Sequence, residues 1–302
     1  MLHFPGTGEI STPDDTALGP TDDSDERAAV ASIALLSATT ALGMEGLAHS
    51  PLALTYLGER GISYALARRC RVGFLEDRTL LDFLAGDSAL RAAAHDIGLL
   101  NRGGHGTLSR RLIIPEMRAE GVAQLIGRVL PGARLPLSQV KYYLVCGLRR
   151  RLLLGYGVAR MHLEQSGTRP RAILVEEGAL DYVVAVGWDL PVLTVALLSN
   201  HPSREQLGEL LDLQTRAGSV PLILGMDADR PGTEGTAYLQ RALTSHRAPF
   251  AVLPPLPRLP APETPYKDLG ELAPHGAAGR DHVLAALEQV IDEASRVADG
   301  KR

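Results

Sequence analysis

The sequence predicts an α/β protein: a parallel sheet with helices on both faces in its second half, preceded by a smaller α+β part. Three observations carry this. From residue 171 onward, short apolar runs alternate with helical stretches, the pattern of βα units. Upstream, two short apolar runs are separated only by a turn, the pattern of a hairpin. The chain of 302 residues is long enough for two compact domains at about 100–200 residues each.

Residues 1–26 are rich in Gly, Pro, Thr and Asp and lack apolar periodicity, which predicts a disordered acidic tail. Residues 27–49 look helical, with Val30, Ile33, Leu36 and Leu42 among the apolar positions. Ser50-Pro51 fits a helix start, and PLALTYLGERG would end at Gly61. Ser63 is placed to cap SYALARRC. RLIIPEM and VAQLIGRVL, separated by AEG, read as two neighbouring strands. Residues 131–168 are mixed and Arg-rich, without a clear assignment.

The regular part begins with the strand AILVE and the helix ALDYVVAVG, followed by the strand PVLTVA. Ser203 is placed to cap the helix REQLGELLDLQTRAG. The strand VPLILGMD, the helix GTEGTAYLQRALTSH and the strand PFAVLPP follow. Residues 254–265 hold six prolines and read as a tether over the surface, and residues 280–297 as a final amphipathic helix. The expected organisation is a tail over 1–26, a basic α+β part over 27–168, the parallel-sheet domain over 169–256, and the tether with its helix over 257–302.

Composition excludes several classes. Hydrophobic residues at 45% and charged residues at 22% are ordinary for a soluble globular chain. With 4% aromatic residues, the core must rest on Leu, Val, Ile and Ala. No apolar run is expected to reach the roughly 20 residues needed to span a bilayer. The N-terminus lacks a basic region followed by an apolar stretch, so a cytoplasmic protein without a membrane partner is expected. Cys70 and Cys146 are the only cysteines, and they form no CxxC pair. No zinc is therefore expected, and both thiols read as ordinary side chains.

Charge is unevenly placed. Residues 1–26 carry seven acids and no Lys or Arg. Residues 101–160 carry eleven Lys or Arg against only Glu116 and Glu120, which favours phosphate-backbone binding over a merely solvated basic face. The triplet Arg149-Arg150-Arg151 reads equally as a phosphate contact or an exposed turn.

The informative acids lie at two strand ends, Glu176-Glu177-Gly178 and Asp227-Ala228-Asp229. Ligands of an open α/β sheet bind beyond the carboxyl ends of its strands, so both groups share one edge. Asp181 follows Glu177 by one helical turn and can share its face. Clustered carboxylates repel, and a Mg²⁺ ion with its preference for hard oxygen ligands removes the conflict. Gly178 and Gly232 leave room for a sharp turn or a close approach. Blander readings exist: Asp229 as a helix N-cap, Asp181 as a first-turn acid, and Glu176 as the solvated neighbour of a functional Glu177.

LVEEGALDYVVAVG followed by LILGMDADRPGTEG resembles the two signature motifs of the Toprim fold, shared by bacterial primases, topoisomerases and certain nucleases. The resemblance implies Glu177, Asp227 and Asp229 as catalytic, metal-holding residues, with Asp181 as the acid that closes the first motif. PYKDLGEL resembles the KDWNE-like segment of phage and mobile-element primases and adds Asp268 to the implied metal ligands. Upstream, YLGERGIS, SRRLIIPEMRAEGVAQLIGRVLPG and VKYYLV with LLLGYGVAR resemble elements of the bacterial, DnaG-type primase catalytic core. The likeness covers roughly residues 50–275.

This resemblance implies a primase-like Toprim enzyme, a nucleotidyltransferase making short RNA primers on single-stranded DNA in a phage, plasmid or mobile-element setting. It implies Mg²⁺ or Mn²⁺ as cofactor, with single-stranded DNA, ribonucleoside triphosphates and a replicative helicase as partners. Arg111, Arg128 and Lys141 match basic residues of the family, and Arg149, Arg150 and Arg230 join them as candidates for nucleic-acid or nucleotide binding. Neither the zinc-binding domain nor the helicase-docking domain of a complete bacterial primase is expected here. A Toprim-type nuclease and a non-catalytic nucleic-acid-binding accessory protein are the alternatives. A topoisomerase would need a tyrosine nucleophile in a further domain. A haloacid-dehalogenase-like phosphatase would open with its DxD, which here follows the third strand of the regular part.

Overall fold

A computed structural model describes residues 23–131, 142–146, 151–167, 169–258 and 265–299. The first part holds helices α1 (Asp23–Ala48), α2 (Pro51–Glu59) and α3 (Tyr64–Arg69), strand β1 (Gly73–Leu75), and helices α4 (Thr79–Phe83) and α5 (Ser88–Asp96). Strands β2 (Arg111–Arg118), β3 (Gly121–Val129) and β4 (Tyr142–Cys146) and helix α6 (Tyr156–Ser166) complete it. Strands β1 to β4 pair antiparallel in sequence order, with a register shift between Glu116 and Met117.

The second part alternates β5 (Ile173–Glu176), α7 (Ala179–Gly187), β6 (Leu193–Ala196), α8 (Arg204–Arg216), β7 (Leu222–Gly225), α9 (Arg230–Ser245) and β8 (Phe250–Val252). Helices α10 (Leu269–Leu272) and α11 (Ala277–Asp299) follow. The four strands pair parallel in the order β6-β5-β7-β8. Ile173, Val175, Leu222 and Leu224 face α8 and α9 through Leu210, Leu213, Leu239 and Leu243. Leu174 and Ile223 face α7 and α11 through Val183, Val184, Val283 and Leu287. Helices on both faces explain why these strands read as nearly continuous apolar runs. The second of these clusters also takes in Leu57, Phe74, Leu112 and Ile126, so the two sheets share a core.

Capping follows local chemistry. Ser50, Ser63 and Ser203 each accept a bond from a first-turn N–H, and Ser203 completes a capping box with Gln206. Helix α6 obeys a different rule, since its N-cap, Gly155, has no side chain. The Glu116 carboxylate, carried by β2, accepts from Gly155 N at 2.5 Å and Gly157 N at 3.0 Å. Arg118 then pairs with Glu116 at 3.1 Å and with Glu209 of α8 at 2.7 Å. A cap delivered from 39 residues away leaves no signal beside the helix, which is why α6 escaped the sequence reading. Strand β1, with three residues, is too short to show a period.

Four expectations need correction. The tail cannot extend to residue 26, because α1 begins at Asp23; residues 1–22 lie outside the described residues. An apolar run of spanning length does exist: Glu26–Ala48 is long and apolar enough to cross a membrane by length and composition. Here its Leu35, Leu36 and Leu47 are buried against the antiparallel part of the protein. The prolines after β8 do not form a plain surface tether: Leu256 is buried, and Tyr266 N donates to its carbonyl at 2.8 Å. Residues 259–264 lie outside the described residues. Glu176, expected to be solvated, is buried at 2% exposure, because it is the last ladder residue of β5, between β6 and β7.

Helix α1 lies backbone to backbone on β1. A Cβ on Gly73 would collide with the backbone of Gly43 and Met44. Gly73→Ala is therefore expected to lower unfolding free energy by about 2–4 kcal/mol. Urea denaturation measures it, and a change within about 0.5 kcal/mol would contradict this packing.

Candidate metal and nucleic-acid site

The site forms where β5 and β7, neighbours in the parallel sheet, release their chains at the carboxyl edge. Beyond β5 the backbone turns through Glu177 and Gly178 into α7. Beyond β7 it passes Asp227 and Asp229 into α9, and Asp229 Oδ1 caps that helix by accepting from Gly232 N at 2.9 Å. Both motif glycines are required by close approach within the protein. A Cβ on Gly178 would meet the Asp181 carboxylate, and one on Gly232 would meet the Asp227 carbonyl.

The third contributor is the segment before α10. Ala228 N donates to the Lys267 carbonyl at 2.7 Å, which fixes this segment against the β7 loop. Asp268 caps α10 by accepting from Glu271 N at 2.9 Å. Asp181, buried in the first turn of α7, accepts from Gly270 N at 2.9 Å. Asp181, Asp227 and Asp268 thereby each offer a carboxylate oxygen, all within 4.8 Å of one another.

Asp227 also belongs to a second set. Its backbone N–H bonds the Glu177 carboxylate. Lys267 Nζ lies 3.1 Å from Asp227 Oδ2 and 3.0 Å from Asp229 Oδ2. The residues expected from the sequence thus converge through Asp227 in two groups: Asp181 with Asp268, and Glu177 with Asp229. Lys267, absent from the sequence reading, joins the second. It was legible only as the neighbour of Asp268, since nothing local shows that its side chain reaches the DxD loop.

Electrostatics follow from this crowding. Burial, then the charges of Asp227 and Asp229, push the Glu177 carboxyl up to about 7. Burial, then Asp268 and Asp227, push Asp181 up to about 7, against the pull of Gly270 N–H and Arg60. Burial raises Asp227 as well, opposed by Lys267. Glu176 is raised well above the carboxylate range by burial and by Asp181, Asp227 and Asp268.

A cleft of about 380 Å³ is lined by Glu177, Asp181, Asp227 and Asp268, with Arg60 and Arg128 on its wall. Arg128 is buried, bonds the Tyr56 hydroxyl at 3.1 Å and stacks 4.8 Å from the Tyr142 ring centre. Its Nε has no hydrogen-bond partner among the described residues. The other basic candidates lie elsewhere. Arg128 pairs with Leu112 across the hairpin, so Arg111, the residue next to Leu112, faces the opposite side of the sheet. There Arg111 is buried near Gly127 and the Tyr143 ring. Arg230 is exposed and pairs with Glu234 one turn along α9. Lys141, Arg149 and Arg150 lie outside the described residues. Of the cysteines, Cys70 is half-buried and its thiol is pushed up to about 11 by burial, an unreactive state at neutral pH.

The sequence matches no family model and no curated protein. Solved structures do match. The catalytic domain of a DnaG primase bound to single-stranded DNA superposes with a TM-score of 0.66 at 19% identity, over 90% of this chain and 84% of that one. The RNA polymerase domain of Mycobacterium tuberculosis DnaG gives 0.64 at 22% identity, over 90% of both chains. That domain in complex with a double-stranded DNA oligomer bearing a 6-nucleotide overhang gives 0.66 at 20% identity, over 87% of this chain and 82% of that one. The chain has the fold of the DnaG-type primase catalytic core. In that primase fold, as expected from the sequence, an antiparallel α+β part precedes the parallel sheet that carries the acids.

Carboxyls held near 7 have a measurable consequence. Between about pH 4 and 7 the folded state binds more protons than the unfolded chain, so metal-free stability falls as pH rises through that window. The midpoint of thermal unfolding in a chelator is expected to be of order 5 °C lower at pH 8 than at pH 5. Mn²⁺ should reverse the order, because it binds the deprotonated acids. A chelated protein that melts higher at pH 8 would contradict the crowding.

Proposed function

We propose that this protein is a primase-like nucleotidyltransferase that copies single-stranded DNA into short RNA primers with Mg²⁺ or Mn²⁺. The observation that carries the reading is the convergence of Asp181, Asp227 and Asp268 beside Glu177, in one cleft with Arg128. The donor set fits the ion: hard carboxylate oxygens of Asp181, Asp227 and Asp268, all within 4.8 Å of one another. Opposite ligands of a Mg²⁺ octahedron are about 4.2 Å apart, so small side-chain movements would close the set.

Divalent metal held there would assist deprotonation of the primer 3′-hydroxyl and help neutralise the leaving pyrophosphate. The chain's own groups orient and compensate. Asp227 joins the two acidic sets, and the Gly270 N–H fixes the Asp181 carboxylate. Arg128, held by Tyr56 and stacked on Tyr142, is preorganised for a phosphate of template or nucleotide. Ribonucleoside triphosphates and single-stranded DNA are the substrates of this reading. The likeness of PYKDLGEL to phage and mobile-element primases supports replication of such an element as the setting, with a helicase as partner.

The test is primer synthesis on single-stranded DNA with labelled ribonucleotides and Mn²⁺. RNA products that require both template and metal support the proposal. Metal-dependent strand cleavage without synthesis would replace it with the nuclease reading.

A further inference from the structure

The DxD loop already holds a cation. The Lys267 ammonium sits between Asp227 Oδ2 and Asp229 Oδ2, 3.1 and 3.0 Å away. Its placement is built into the backbone. The Lys267 carbonyl accepts from Ala228 N inside the loop, and Lys267 N donates to Glu271 Oε2 at 3.0 Å. Glu271 is held in turn by Arg258. The residue is thus tied to the DxD loop and to α10, with 38% of its side chain exposed towards solvent.

We infer that Lys267 is a resident cation of the DxD loop, so that this protein takes up one divalent ion, at Asp181, Asp227 and Asp268, where two would otherwise bind. The inference rests on the metal site of the proposed primase reading. A second ion would have to lie about 2.1 Å from the same Asp227 and Asp229 oxygens. An ammonium about 3 Å from those oxygens fills that space and repels the ion. An ammonium has three N–H donors, and two are taken by the aspartates. The third remains for an anionic oxygen of the substrate. Lys267 then supplies by side chain the charge compensation that a second ion would supply.

Counting bound Mn²⁺ by titration calorimetry and by the electron-spin signal of the free ion tests this. The wild type is expected to bind one ion, lost in Asp268→Asn. Lys267→Met is expected to bind two, and Lys267→Arg one. In the Lys267→Met background, Asp229→Asn should remove the second ion. In the otherwise wild-type protein, Asp229→Asn keeps the helix cap and should still bind one ion; loss of that ion would place Asp229 among its ligands and overturn the inference. This arm decides the matter even should Lys267→Met fold poorly.

A wild type that binds two ions, or a Lys267→Met variant that binds one ion as the wild type does, overturns the inference and leaves the metal site standing. A wild type and a Lys267→Met variant that both bind no Mn²⁺ overturn the metal site, and the inference with it.

Discussion

Asp227→Ala is expected to reduce template-directed ribonucleotide incorporation by at least about a thousandfold, leaving single-strand binding within about threefold. Asp227 is the residue that both acidic sets share. It lies within 4.8 Å of Asp181 and Asp268 through one carboxylate oxygen, and its backbone N–H bonds Glu177. Removing it leaves the remaining acids too few to hold an ion beside a phosphate. The fold should survive, because the side chain is only partly buried and Lys267 keeps Asp229 as partner. Loss of a crowded, raised carboxylate even relieves repulsion. Binding of template should persist, since Arg128 takes its support from Tyr56 and Tyr142. Asp281→Ala, an exposed acid on α11, serves as the control that should change nothing. Wild-type incorporation by the Asp227→Ala variant would remove the catalytic role assigned to this cleft.

The second large effect concerns stability. Glu116→Ala is expected to cost about 3–5 kcal/mol, because it leaves Gly155 N–H, Gly157 N–H and the Arg118 guanidinium without their shared acceptor in a buried place. Glu116 is fully buried, and burial pushes its carboxyl up to about 7 despite Arg118 and the two backbone N–H groups. It joins β2 of the antiparallel sheet to α6, and Arg118 extends the connection to Glu209 of α8. Glu209 in turn accepts from Leu153 N at 2.7 Å. The variant should therefore loosen the antiparallel part from the parallel sheet as well as lower the total. Glu116→Gln keeps an acceptor and should cost less than the alanine change. Urea denaturation followed by fluorescence of Trp188 measures both. A loss below about 1 kcal/mol for Glu116→Ala would show that the network contributes little.

Neighbouring residues determined much of this protein without help from the rest of the chain. The parallel sheet from residue 171, the serine caps at 50, 63 and 203, and the hairpin of β2 and β3 follow from local spacing and short-range hydrogen bonds. So does the placement of Glu177, Asp227 and Asp229 at strand ends, because strand length and turn chemistry decide where a strand stops.

What needed the tertiary structure is whatever two distant segments share. Arg128 turns into the cleft and Arg111 away from it because sheet pairing sets which face points inward. Glu176 is buried by strands on either side of it. Helix α6 starts where a glutamate from β2 arrives, and Lys267 reaches the DxD loop only because α10 folds back over α7. Periodicity and motif spacing record how a residue relates to its chain neighbours, whereas charge pairing and burial depend on distances through space. The acids could therefore be named from the sequence, but their grouping around Asp227 and the lysine between them could not.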